Sequence, residues 1–220
     1  MTDLSHIVKT YESFLAQYSV RLNANQCHLI DLFLRELTQW NKTFNLTGLR
    51  SAHQITRHLL LDSLICAAKL PERARVLDVG SGAGFPAIPI KIYHPEVETQ
   101  LLEPNRKRAN FLKHLRRVLG LTGFQVSRQR LEEHEKDNRG AYEVITARAV
   151  MSPLALVALC SHLLRREGFL VIFLGEKKAR LHATLMEKAS SEGLILRQLL
   201  RYTLPGLQTN RHLAFFQKHD

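Results

Sequence analysis

Cysteine is scarce in this chain, and its three copies stand far apart at Cys27, Cys66 and Cys160. They form no Cys-x-x-Cys pair, which argues against a zinc site or a disulfide framework and fits a metal-free protein of the reducing cytosol. Long apolar runs are also missing, and none approaches the roughly 20 residues of a membrane helix. The opening Met1-Thr-Asp-Leu-Ser-His6 has no basic segment followed by an apolar core, so the expectation is a soluble, cytoplasmic protein without a secretory leader. Acidic residues are few: 20 Asp/Glu face 31 Lys/Arg, a formal net charge of +11. That excess favours a polyanionic partner, the alternative being a chain that is merely basic. Repeats and low-complexity segments are absent. With 45% hydrophobic residues in 220, the chain can bury a full core and form one large domain, with or without a helical appendage.

Two halves of unequal character follow. Leu4, Ile7, Val8, Tyr11, Phe14, Leu15 and Tyr18 recur at helical spacing, as do Leu29 to Trp40, where a second helix ends near Asn41. A third is predicted from Ser51, with Ser51 and Gln54 as a capping box, to about Lys69, before Pro71. Residues 1–70 thus read as a helical cap and 71–220 as a second domain. There, strands are expected at Val76–Val79, Glu98–Leu102, Gln125–Ser127, Glu143–Thr146, Phe169–Leu174, Leu194–Leu200 and His212–Gln217. Helices between them are clearest at Arg106–Leu119, Pro153–Leu164 and Glu176–Ser190. Such alternation implies a mostly parallel sheet covered on both faces. The last two strands are too close in sequence for a crossover helix and should pair antiparallel.

Arg75-Val-Leu-Asp-Val-Gly-Ser-Gly-Ala-Gly-Phe-Pro86 reads as a buried strand opening into a glycine loop. Gly80, Gly82 and Gly84 let the backbone approach a ligand closely, beyond what a simple tight turn requires. A dinucleotide fingerprint would put its third glycine at position 85, which is Phe85, and this counts against a nicotinamide oxidoreductase. Asp78-x-Gly-x-Gly-x-Gly84 instead resembles the nucleoside loop of S-adenosylmethionine-dependent methyltransferases. In open α/β sheets the ligand lies beyond the strand C-termini, so four strand ends should converge. Glu103 follows the second strand and suits a ribose diol, or alternatively is an acid favoured by the following helix dipole. Leu131 backbone or the Glu132 carboxylate could hold adenine, unless Glu132-Glu133 is a solvated helix start. Arg148 could meet a methionine carboxylate or an RNA phosphate, or be a solvated arginine.

The acceptor is narrowed by missing motifs. No Asn/Asp-Pro-Pro-aromatic loop follows the fourth strand, no cysteine is placed as a nucleophile, and no Lys-Asp-Lys-Glu set can be assembled. A purine N7 lone pair remains, which needs positioning and desolvation but no general base. The segment from Pro104 to Leu119 holds six Lys/Arg and no acid. Phe111, Leu115, Val118 and Leu119 form its expected buried stripe. Arg106, Lys113 and Arg117 share the opposite face, which is either simply solvated or in contact with RNA phosphates.

Leu37-Thr-Gln-Trp-Asn-Lys-Thr-Phe-Asn-Leu-Thr47, Arg57-His-Leu-Leu-Leu-Asp-Ser-Leu64 and Asp78–Pro86 together resemble the small-subunit ribosomal RNA guanine-N7 methyltransferase G family. Lys107-Arg108, Arg130–Glu133, Thr146–Ala149, Leu204–Leu207 and Arg211-His212 extend the likeness. It implies a Rossmann-like class I methyltransferase with a seven-stranded sheet, S-adenosylmethionine contacts at Gly80, Phe85, Leu131, Glu132 and Arg148, and 16S ribosomal RNA as substrate. Glu103-Pro104, Ala87 and Leu174 depart from frequent family residues; Leu174 puts a substrate contact there in doubt. Asn41, Lys42, Asn45, Arg57, His58, Asp62 and Ser63 form a polar cluster on the substrate side. Singly, they read as capping, filling and packing residues. A non-catalytic RNA-binding assembly module on the same fold is the competing reading.

Overall fold

The computed structural model describes residues 7–175 and 182–219. A single 3-10 turn, Lys9–Tyr11, precedes α1 (Glu12–Ala16), and α2 runs over Ala24–Phe44. The first helix is shorter than its periodicity predicts, because Ser19 adopts φ 63° and the chain turns; Leu4 lies outside the described residues. Helix α2 starts earlier than its apolar stripe. Asn23 accepts from the Gln26 amide and Gln26 accepts from the Asn23 amide, satisfying two orphan donors. Ser51 and Gln54 make the expected capping box of α3 (Ala52–Ile55). A π-helical turn, Thr56–Leu60, then leads into α4 (Leu61–Ala67).

The remainder alternates as expected: β1 (Arg75–Val79), α5 (Ala87–Tyr93), β2 (Glu98–Leu102), α6 (Arg106–Val118), β3 (Phe124–Ser127), α7 (Leu131–Glu135), β4 (Tyr142–Arg148), α8 (Pro153–Leu163), β5 (Leu164–Gly175), α9 (His182–Ser191), β6 (Leu194–Thr203) and β7 (Asn210–Lys218). Part of the helix predicted at Glu176–Ser190 lies outside the described residues. The seven strands form one sheet in the order β3-β2-β1-β4-β5-β7-β6. Neighbours from β3 to β5 are parallel, and β7 runs antiparallel to both β5 and β6. Among the described residues no helix is long and apolar enough to cross a membrane.

Alternate strand residues feed two apolar layers. Val76, Leu101, Val144 and Val171 join the layer holding α2, α4, α5 and α6. Leu77, Leu102, Ile145 and Ile172 join the one holding α8 and α9. The helices of the first 70 residues therefore share one core with a face of the sheet. On α6, Ala109, Phe111, Leu112 and Leu115 make the buried stripe. Val118, predicted to belong to it, is 36% exposed, because the helix ends there and turns its last residue outward.

Candidate active site at the strand C-termini

Strand order reverses between β1 and β4, the point where open α/β sheets leave a crevice for a ligand. A cavity of about 380 Å³ opens there, lined by Gly80, Ser81, Gly82, Ala83 and Phe85 from the glycine loop, Glu103 and Pro104 after β2, Arg108 of α6, and Arg148, Ala149 and Val150 after β4; Leu46, Thr47 and Leu59 close it from the helical segment. Its size falls in the roughly 300–1,000 Å³ range of small-molecule sites.

The loop's geometry explains two of its glycines. At Gly80, φ is +67° and a Cβ would meet the Val150 side chain at 2.2 Å. At Gly82, φ is +56° and a Cβ would find only the Gly80 carbonyl, at 3.8 Å, so the missing side chain leaves open space in the cavity wall. Gly84 packs against Ile88 at the head of α5. Phe85 is buried, with its ring 5.0 Å from that of Phe33 on α2.

Glu103 is 3% exposed, and both of its carboxylate oxygens are anchored. Oε2 accepts from the Gly82 amide at 2.8 Å and Oε1 from the Asn105 amide at 2.9 Å. Asn105, not Glu103, caps α6, accepting from the Lys107 and Arg108 amides. The carboxylate thus ties the glycine loop to the start of α6 and retains acceptor capacity for a ligand, since each oxygen has a further lone pair. Asp78 is buried beneath the loop. Its Oδ1 accepts from Thr146 Oγ at 2.6 Å and its Oδ2 has no partner. Burial raises its carboxyl to about 6, against the pull of Thr146, Ser81 and Arg148.

Arg148 points toward the helical segment. Its guanidinium donates to the carbonyls of His58 at 2.5 Å and Leu59 at 3.2 Å, and to Asp62 Oδ2 at 3.1 Å, while lying over the Phe173 ring. Both carbonyls belong to the π-turn Thr56–Leu60. Asp62 is 1% exposed, and its Oδ2 also accepts from Arg211 at 3.2 Å. Burial holds the Asp62 carboxyl above its ordinary value, although the Arg148 and Arg211 guanidiniums and a hydrogen bond from Tyr202 oppose it. Burial, with Arg211 and Arg57 nearby, holds the His58 imidazole below its ordinary value.

The other predicted residues scatter more widely. Asn41 organises the loop after α2: its Nδ2 donates to the Leu49 carbonyl and its Oδ1 accepts from the Thr47 amide. That arrangement sets Leu46 and Thr47 on the cavity wall. Asn45 is the left-handed C-cap of α2, and it and Lys42 are exposed. Ser63 is buried and donates to the Leu59 carbonyl. Arg57 lies against Gly206 in the β6–β7 loop. Leu131 is buried in the α8 layer, and Glu132 is exposed on α7; neither lines the cavity. Arg106, Lys113 and Arg117 are exposed together along α6. Among the described residues no group of three or more His, Cys, Asp or Glu could hold a metal. No role for Val150 or Tyr202 is legible in the sequence, and none beyond a motif match for Thr47 and Arg211. Only that match signalled Arg211, since its meeting with Asp62 spans 149 positions.

Comparison with known proteins is consistent throughout. The family model for rRNA small subunit methyltransferase G matches residues 26–213. The ribosomal RNA small subunit methyltransferase G of Chromobacterium violaceum is 35% identical over 200 residues, covering 91% of this chain and 92% of its own. That of Chloroflexus aggregans is 40% identical over 157 residues, covering 70% and 66%. Among solved structures, a methyltransferase from Pyrococcus furiosus superposes with a TM-score of 0.61 at 15% identity, covering 86% of this chain and 97% of that one. Aeropyrum pernix fibrillarin, solved with natively bound S-adenosyl-L-methionine, gives 0.54 at 13%, covering 67% and 68%. A seven-stranded sheet with an antiparallel final strand, the crevice at its switch point and a family match across most of the chain lead to one conclusion: this protein belongs to the ribosomal RNA small subunit methyltransferase G family.

Proposed function

We propose that the chain transfers a methyl group from S-adenosyl-L-methionine to N7 of a guanine in 16S, small-subunit ribosomal RNA. The observation that carries this reading is the pairing of the open Gly82 position with the anchored Glu103 carboxylate in one cavity at the switch point. The residues fit the cofactor. Gly80, Gly82, Gly84 and Phe85 shape its bed, Glu103 accepts from the ribose hydroxyls, and Asp78 supports the loop from below. An adenine reaching past the lined wall toward α7 would meet the Leu131 backbone or the Glu132 carboxylate, neither of which lines the cavity itself, and Arg148 borders the methionine end. When bound, the cofactor supplies an electrophilic methyl group, which a guanine N7 lone pair accepts without losing a proton.

The chain's task is then to hold the base edge and exclude water. Among the described residues lining the cofactor cavity none is a His, Cys or Lys. Burial pushes the thiols of Cys66 and Cys160 far up, away from nucleophilic use. Residues 1–70 serve as a cap over residues 71–220. Arg106, Lys113 and Arg117 meet RNA phosphates, with Lys42, Asn45, Arg57 and His58 on the acceptor side. Asn41, Asp62 and Ser63 shape that side.

The test is labelled-methyl transfer onto small subunits lacking the modification, followed by nucleoside mass spectrometry. 7-Methylguanosine is expected, with a single-turnover rate that changes little between pH 6.5 and 9 and survives His58→Gln. A different methylated nucleoside, or a steep pH rise lost in that variant, refutes the N7 chemistry. Tight cofactor binding without transfer would favour an assembly module.

A further inference from the structure

A second cavity, of about 510 Å³, adjoins the first and shares Arg148 and Ala149 with it. Ala149, at the partition, is held at φ 52°, a conformation that costs a non-glycine residue and recurs at functional sites. The aromatic rings of Phe173 and Tyr202 form part of the wall, and Asp62 and Arg211 also line it. Asp62 is 1% exposed; Arg148 and Arg211 engage Oδ2 and the Tyr202 side chain also reaches the carboxylate, while Oδ1 has no hydrogen-bond partner of good geometry. A buried carboxylate oxygen left unpaired is costly, and such an orphan calls for a ligand.

We infer that this cavity receives the acceptor guanine, with Asp62 Oδ1 accepting hydrogen bonds from N1–H and the 2-amino group. The inference rests on the proposed guanine methylation and assigns its specificity. Guanine presents two donors along that edge, whereas adenine offers a ring nitrogen acceptor at N1 and has no 2-amino group. A fixed negative charge beside the ring also stabilises the cation that forms as N7 is methylated. Arg148 and Arg211 are positioning residues here: by holding Oδ2 they favour the charged carboxylate and orient it. A site built to hydrogen-bond a donor rejects analogues that lack it, because its polar atom is then left unpaired.

The test uses the full chain saturated with S-adenosylhomocysteine, titrated with guanosine, inosine and adenosine 5′-monophosphates and followed by ligand-observed NMR. Guanosine monophosphate should bind best, inosine monophosphate at least about tenfold more weakly for loss of one charge-assisted bond, and adenosine monophosphate most weakly. Asp62→Asn should bring guanosine monophosphate to the inosine level. Equal binding of the three nucleotides, no binding of any, or a preference that persists in Asp62→Asn overturns the assignment. Should that variant not fold, 8-azidoguanosine monophosphate is photo-crosslinked to the wild-type chain. Adducts at Phe173 or within 202–212 support the site, and adducts confined to α6 or the glycine loop refute it. A product other than 7-methylguanosine would defeat the N7 reading while leaving guanine selectivity intact. Lost selectivity with the correct product would defeat only the cavity assignment.

Discussion

Glu103→Gln separates the two tasks assigned to one carboxylate. The side chain accepts from the Gly82 and Asn105 amides, so glutamine keeps one of those bonds and turns an amino group toward the other amide. One unpaired part-buried donor costs about 1–3 kcal/mol, and at about 2–4 °C per kcal/mol for a chain of this size the melting temperature should fall by roughly 2–12 °C. Ribose contacts to a charged acceptor add about 1.5–3 kcal/mol to binding, so cofactor affinity should fall by roughly 10- to 150-fold. A distorted glycine loop could produce the same loss, and a double-mutant cycle resolves the two. Calorimetric affinities are measured for S-adenosylhomocysteine and its 2′-deoxy and 3′-deoxy forms, in wild type and variant. Direct contact predicts that the wild type discriminates against at least one deoxy form by tenfold or more and that the variant does not. Equal discrimination by both proteins would refute the ribose role and leave Glu103 as a loop anchor only.

Other outcomes follow from the same geometry. Replacing Arg106, Lys113 and Arg117 by Gln should spare cofactor affinity while lowering the magnitude of the logarithmic salt slope of RNA binding by about 0.7–0.9 per lost phosphate contact; an unchanged slope would mean that the face is only solvated. Gly80→Ala must place a Cβ 2.2 Å from Val150 at φ +67°, so it should abolish measurable cofactor binding, and near wild-type affinity would contradict the close approach. Asp78 has its carboxyl raised to about 6, above an unfolded value of about 3.9. The native state therefore binds that proton more tightly, and the stability it contributes is present below about pH 4 and lost as pH rises through 6. The window amounts to about 3 kcal/mol. Denaturant unfolding across pH 4–7 should decline less steeply for Asp78→Asn; parallel curves for both proteins would refute the shift.

The sequence by itself determined the sheet, because strand and helix periodicities are local and the glycine loop declares its own purpose in a few residues. The antiparallel end of the sheet was legible for the same reason: the link around Pro205-Gly206 is too short for a crossover. Glu103 was legible as a candidate because a carboxylate at a strand's end has few places to go. The stops of short elements were not, since one left-handed residue, Ser19, ends an apolar pattern that periodicity would continue. Nor did the outward turn of Val118 show in its spacing. Only the tertiary structure decided where Arg148 points. Its partners, the His58 and Leu59 carbonyls and Asp62, lie 86 to 90 positions away, and the two carbonyls belong to the π-turn Thr56–Leu60. It likewise brought Arg211 to Asp62 and opened a second cavity beside the first. Ion pairs and cavities depend on how separately coded elements pack, and no local pattern of apolar residues records that packing.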